Sequence, residues 1–130
     1  MKNLKRVQQW VLQSDYDFET AKAMLKTKRY IYCVFMCHLA LEKMLKGLYD
    51  QNLEKIPPKT HNLVYLVETQ SLNLSEEVKK ILEHLNKVCV PTRYPEQLNQ
   101  LLDVYNHETT KKILQQTRET LKCLKQKLEK

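Results

Sequence analysis

Hydrophobic and polar positions recur in helical steps along most of the chain, and one stretch departs from that rhythm by being apolar all round. Leu4, Val7, Val11, Phe18, Ala21 and Leu25 follow steps of three and four, with Ser14 filling the gap. That is the stripe of an amphipathic helix, predicted over residues 3–27. Trp10 and Met24 widen the stripe, and Asp15, Asp17 and Glu19 are expected to face elsewhere. Lys26 to Arg29 reads as a short polar turn. The next twelve residues, Tyr30 to Leu41, hold one strongly polar side chain, His38. A helix with no polar face is buried on every side. This predicts a central helix, about 30–50, wrapped by the others. Two helices joined so closely pack antiparallel.

The second half of that helix regains charge. Glu42, Lys43 and Lys46 enter while Leu41, Met44, Leu45 and Leu48 keep the apolar spacing. His38, Glu42 and Lys46 stand at i, i+4 and i+8, so they lie along one strip. Beyond it, Asn52 to Thr60 is a loop, because Pro57 and Pro58 cannot lie inside a helix and Pro57 restrains Ile56. Thr60 is the expected N-cap of a short helix from His61 to about Thr69, with Leu63, Leu66 and Val67 inward. Ser75 caps the following helix, where Glu76 and Glu77 suit the positive N-terminus. Its inner face is Val78, Ile81, Leu82, Leu85 and Val88. Pro91 and Pro95 are expected to break helix over Cys89 to Gln97 and to hold Thr92, Arg93 and Tyr94 between them. Leu98 to Tyr105 reads as a short helical turn. Asn106 caps a last helix to about Leu128, with Ile113, Thr117, Leu121, Leu124 and Leu128 inward.

The expectation is one all-α domain over residues 1–130, an antiparallel four-helix bundle with one additional short helix. Composition agrees. Gly occurs once and Pro four times among 130 residues, and an apolar content of 42% supplies a core. The net charge of +7 is concentrated in part at Lys111, Lys112, Arg118, Lys122, Lys125, Lys127 and Lys130. A solvated helix face explains such a run; attraction to a polyanion such as RNA or a nucleotide is the sharper alternative. Cys33, Cys37, Cys89 and Cys123 include no paired-ligand spacing, so they read as small buried hydrophobes and neither metal nor cofactor is expected. Nothing resembles a signal peptide, and the longest apolar run is too short to span a bilayer. A cytoplasmic protein with reduced thiols and no membrane association is the expectation.

HLALEKMLKGL at 38–48, PPKTHNL at 57–63 and TRYP at 92–95 together resemble the HEPN domain, an all-α module. The order matches its pattern over nearly the whole chain: Trp10 and Ala21; Ala40, Glu42, Lys43 and Lys46; Thr60, His61 and Leu63; then Arg93, Tyr94 and Pro95. The resemblance implies a helical bundle, often a homodimer, often encoded beside a small nucleotidyltransferase partner as toxin and antitoxin. Many such domains are metal-independent RNases that carry an Arg followed, four to six residues on, by a His. No histidine stands in that window after Arg6, Arg29, Arg93 or Arg118. What remains is the nucleotide-binding reading, a binding module rather than an enzyme.

The candidate anion or nucleotide site joins Lys43, Lys46, His61, Arg93 and Tyr94, with Glu42, His38 and Thr60 in support. Lysine acts on phosphate as a point charge and arginine as a two-pronged donor. A helix starting near His61 offers backbone N–H groups to an anion, and Tyr94 offers a flat face to a base. Glu42 is expected to pair with Lys46 and hold it straight. The competing reading makes the same residues an internal network that locks the loops onto the central helix. Two further functions stay open: an RNase with a displaced pair, His61 or His107 with Arg93, and a helical dimer whose only task is to hold a partner.

Overall fold

A computed structural model describes residues 3–93, 96 and 98–129, without the side chains of 89–93. Among the described residues there are six helices and no strand. They are α1 (Leu4–Lys26), α2 (Tyr30–Leu53), α3 (Leu63–Gln70), α4 (Glu76–Arg93), α5 (Leu98–Val104) and α6 (His107–Lys125). The four long helices, α1, α2, α4 and α6, form the bundle; two short ones accompany it where one was expected.

α1 lies along α2 through Val7, Ser14 and Ala21, one heptad apart and all buried. The gap in the stripe is a working position: the Ser14 hydroxyl donates to the Ala40 carbonyl at 2.7 Å. Asp17 corrects the expectation for that helix. It does not face away but is buried beside α2, where Lys43 Nζ donates to its carboxylate at 3.0 Å. Lys28 turns the chain from α1 into α2 with a left-handed φ of 64°. Lys125 pairs with Asp15 at 2.6 Å, and His107 lies against Tyr30. α6 therefore runs antiparallel to α1.

α2 is the central element. Cys33, Val34, Cys37, Leu41, Met44, Leu45 and Leu48 are all excluded from solvent, and α1, α3, α4 and α6 all pack on it. Burial on every side is not complete, however: Tyr32 is 52% exposed. The surrounding helices leave one strip of its N-terminal half open. At the other end, Asp50 and Gln51 hold both ends of the described chain. Asn3 and Arg6 donate to the Asp50 carboxylate, while Gln51 donates to the Lys127 carbonyl at 3.0 Å and accepts from Glu129 N–H at 2.8 Å. Left-handed Glu54, with φ 52°, ends α2 before Pro57 and Pro58.

Two boundaries differ from expectation. α3 begins at Leu63, and its cap is Asn62, not Thr60: Asn62 Oδ1 accepts from Tyr65 N–H at 3.0 Å. Thr60 instead accepts from Asn62 N–H, bracing the residue that caps. α4 does not break at Pro91 but continues to Arg93. Proline removes one N–H and crowds the carbonyl four residues back. Within the last turn that loss falls where the ladder is ending anyway. Ser75 and Asn106 cap α4 and α6 as expected, accepting from Val78 and Thr109 N–H.

Candidate functional site

The strip predicted on α2 is the axis of a buried polar cluster. Helical spacing stacks His38, Glu42 and Lys46 on one side of α2, and all three are buried. Burying three polar groups is costly unless each finds partners, and the chain supplies them from elsewhere. Glu42 is the hub. One carboxylate oxygen accepts from Lys46 Nζ at 3.1 Å; the other accepts from His61 Nδ1 at 2.8 Å. A carboxylate only accepts, so the His61 proton sits on Nδ1. His38 Nε2 lies 3.0 Å from the His61 carbonyl oxygen, which also only accepts, so His38 donates there. The Lys46 ammonium lies 5.8 Å from the centre of the Trp10 ring, within cation–π range. Thus α1 covers one flank of the cluster and the loop before α3 covers the other.

The candidate residues divide. Glu42, Lys46, His61 and His38 come together. Lys46 is not an open cation: its side chain is 9% exposed and committed to Glu42, whereas the His61 side chain is 53% exposed. Lys43 is taken up by Asp17 on the neighbouring flank. Two of the N–H groups expected to receive an anion at the start of α3 are occupied, Leu63 N–H by Asn86 Oδ1 at 2.8 Å and Tyr65 N–H by Asn62. Thr60 serves the turn. Arg93 ends α4, but its side chain and all of Tyr94 lie outside the described residues. No cluster of metal-ligand type occurs among the described residues.

A further feature gives no signal in the periodicity. A recess of about 420 Å³ opens between the end of α1 and the start of α6, lined by Lys22, Lys26, Lys28, His107, Lys111 and Arg118 over Leu25 and Leu114. Half of these residues stand in the 22–28 stretch, which along the chain is only a helix end and a turn.

These features define a class: an all-helical bundle with an ion network built on its central helix. The family model for the HEPN domain matches residues 7–127, and the chain belongs to that family. The crystal structure of TT1696 from Thermus thermophilus superimposes with a TM-score of 0.80 at 22% identity, over 95% of this chain and 98% of that one. ST0689, an archaeal HEPN homologue, gives 0.74 at 22% identity over 95% and 98%. At that identity the likeness is one of fold. No curated protein matches the sequence.

Proposed function

We propose that this chain is a HEPN module that binds a nucleotide or RNA beside the Glu42 cluster and works, as a homodimer, with a nucleotidyltransferase partner in a toxin–antitoxin-like pair. The observation that carries the reading is the Glu42 hub. It holds the half-exposed His61 ring at a fixed angle over α2, on the side where His38 and Lys46 are already ordered. In this reading Lys46 and Glu42 position the site, and His61, Arg93 and Tyr94 meet the ligand, while Lys43 stays paired with Asp17 on the flank. Family membership supports it, and so does the excess of positive charge, which favours polyanions. The exposed Tyr32 on the core helix is consistent with a second copy covering that strip. The test is titration of ATP, GTP and a short RNA into the protein and into folded Arg93→Ala, His61→Ala and Lys46→Gln variants. A loss of about tenfold or more is expected, the size of one charge-assisted contact. Absence of binding by the unaltered protein, or unchanged binding by all three variants, overturns the reading.

One observation favours a second reading, a metal-independent RNase with a non-standard pair. A carboxylate on Nδ1 orients a histidine for proton transfer through Nε2, and Arg93 would steady the phosphate. RNA cleavage in the presence of a chelator, abolished by His61→Ala, supports it; activity retained after both His61→Ala and His107→Ala removes it.

A further inference from the structure

The recess between α1 and α6 is chemically one-sided. Five cations line it, Lys22, Lys26, Lys28, Lys111 and Arg118, and no carboxylate does. Lys22 has Glu19 as a partner at 2.8 Å. Lys26, Lys28, Lys111 and Arg118 make no ion pair among the described residues, whereas Lys43 pairs with Asp17 and Lys125 with Asp15 across helices. Crowding like charges opposes folding unless an anion is bound.

The recess is also ordered. Lys22 of α1 and Arg118 of α6 lie 5.9 and 5.7 Å from the centre of the Phe18 ring, so one aromatic side chain anchors a cation from each helix at one end of the recess. Lys28 enters the lining from the turn between α1 and α2, where its backbone is left-handed, φ 64°, a conformation glycine adopts more easily. At the other end stands the start of α6, where His107 packs edge-on against Tyr30 with ring centres 5.7 Å apart. The positive end of the α6 dipole adds to the same field.

From this we propose a second site, for the phosphate backbone of RNA, that goes beyond the reading above and does not depend on it. The cations come from three segments and spread along an open trough, so they match a chain of successive phosphates better than one terminal phosphate. Arg118 is a planar fork and the lysines are point charges, the mixture that neutralises phosphodiesters. The lining offers only Leu25 and Leu114 as apolar sockets, too little to grip an acidic peptide by its side chains. With no base-reading group in the trough, it positions the strand and does not read sequence. Tyr30, beside the trough, and Glu42, the hub of the cluster, are twelve residues apart on α2, roughly 18 Å of helix rise. The trough and the Glu42 cluster are therefore separate places on the molecule.

The experiment follows a labelled single-stranded RNA of about twelve nucleotides by anisotropy across a range of KCl concentrations. The triple variant Lys26→Ala, Lys111→Ala, Arg118→Gln should lose tenfold or more in affinity at about 50 mM salt. Its plot of log affinity against log salt should flatten by about 2, since each lost contact to a single strand removes about 0.7. A control triple on α4, Lys79→Ala, Lys80→Ala, Lys87→Gln, removes the same charge and should change affinity less than twofold. Melting curves establish that each variant folds. No RNA binding by the unaltered protein, equal losses in both triples, or tighter binding of polyglutamate than of RNA overturns the proposal. If Lys46→Gln abolishes binding of mononucleotide and RNA while the first triple binds normally, the trough is refuted and the Glu42 site stands. If the triple loses RNA binding while Arg93→Ala, His61→Ala and Lys46→Gln bind as the unaltered protein does, the trough stands and the Glu42 site is refuted.

Discussion

A Cβ placed on Gly47 would lie 3.1 Å from the Cβ of Trp10, closer than ordinary van der Waals contact. The chain's one glycine thus lets α1 settle directly onto α2, and it brings the Trp10 ring over Lys46. Glycine inside a helix costs about 1 kcal/mol relative to alanine, but here the added methyl meets a Cβ that moves only with its backbone. Overpacking of that kind costs about 1–3 kcal/mol. Gly47→Ala is therefore expected to destabilise by about 1 kcal/mol net, and Gly47→Val by more, in urea unfolding. A stabilised Gly47→Ala protein would show that α1 gives way freely.

The Glu42–Lys46 pair predicts strong coupling. Removing one partner of a buried pair leaves the other charged and unpaired, at about 3–5 kcal/mol. His61 still donates to Glu42 when Lys46 is lost, so Lys46→Met should cost less than Glu42→Leu. The double variant should cost less than the two singles summed, by about 1–3 kcal/mol. Equilibrium unfolding of the four proteins checks this, and simple additivity would dissolve the network.

Asp50 makes stability depend on acid. Burial by itself raises its pKa, but hydrogen bonds from Arg6 and Asn3 outweigh that and leave it below its ordinary value. Its unfolded pKa is about 3.9. A group lowered on folding stabilises fully above the unfolded value, and the contribution is lost as pH falls through the lower folded one. Asp50→Asn should lower the melting temperature at pH 7 and shrink the difference between pH 7 and pH 3. Arg6→Ala should act in the same direction. An unchanged acid limb in both variants would place the titration elsewhere.

The cysteines should separate by access. Cys33 and Cys37 are fully buried on α2, whereas Cys123 is half-buried on α6. The hydrogen bond from Cys37 lowers the Cys33 thiol, and the bond to Cys33 together with burial pushes Cys37 well above its ordinary value. Exclusion from solvent outweighs either shift, because an alkylating reagent must reach the sulfur. Brief iodoacetamide treatment of the native protein at pH 8 should modify Cys123 well before Cys33 and Cys37, which react on unfolding. Peptide mass spectrometry reads the order.

The helices were legible because helical periodicity is a local signal. Leu82 and Leu85 on α4, or Leu121 and Leu124 on α6, declare their inner face within a few residues. Caps such as Ser75 and Asn106 are local too, and so is the Glu42–Lys46 pair, four residues apart on one helix. Local expectations still failed in places, and Asp17 turned inward to Lys43. Thr60 lost the cap to Asn62, two residues on, and Pro91 sits close enough to the end of α4 for the helix to absorb it.

The sequence alone determined that there would be a buried helix, that other helices would wrap it, and that His38, Glu42 and Lys46 would share one strip of it. Tertiary structure decided what each polar group meets. His61 reaches Glu42 across a loop, Asp17 reaches Lys43 across two helices, and Asp50 reaches back to Arg6 at the start of the chain. The trough of Lys26, Lys28, Lys111 and Arg118 joins segments from opposite ends of the sequence. Periodicity says which face of a helix turns inward, but not which neighbour lies there, because that depends on how all the stripes pack together at once.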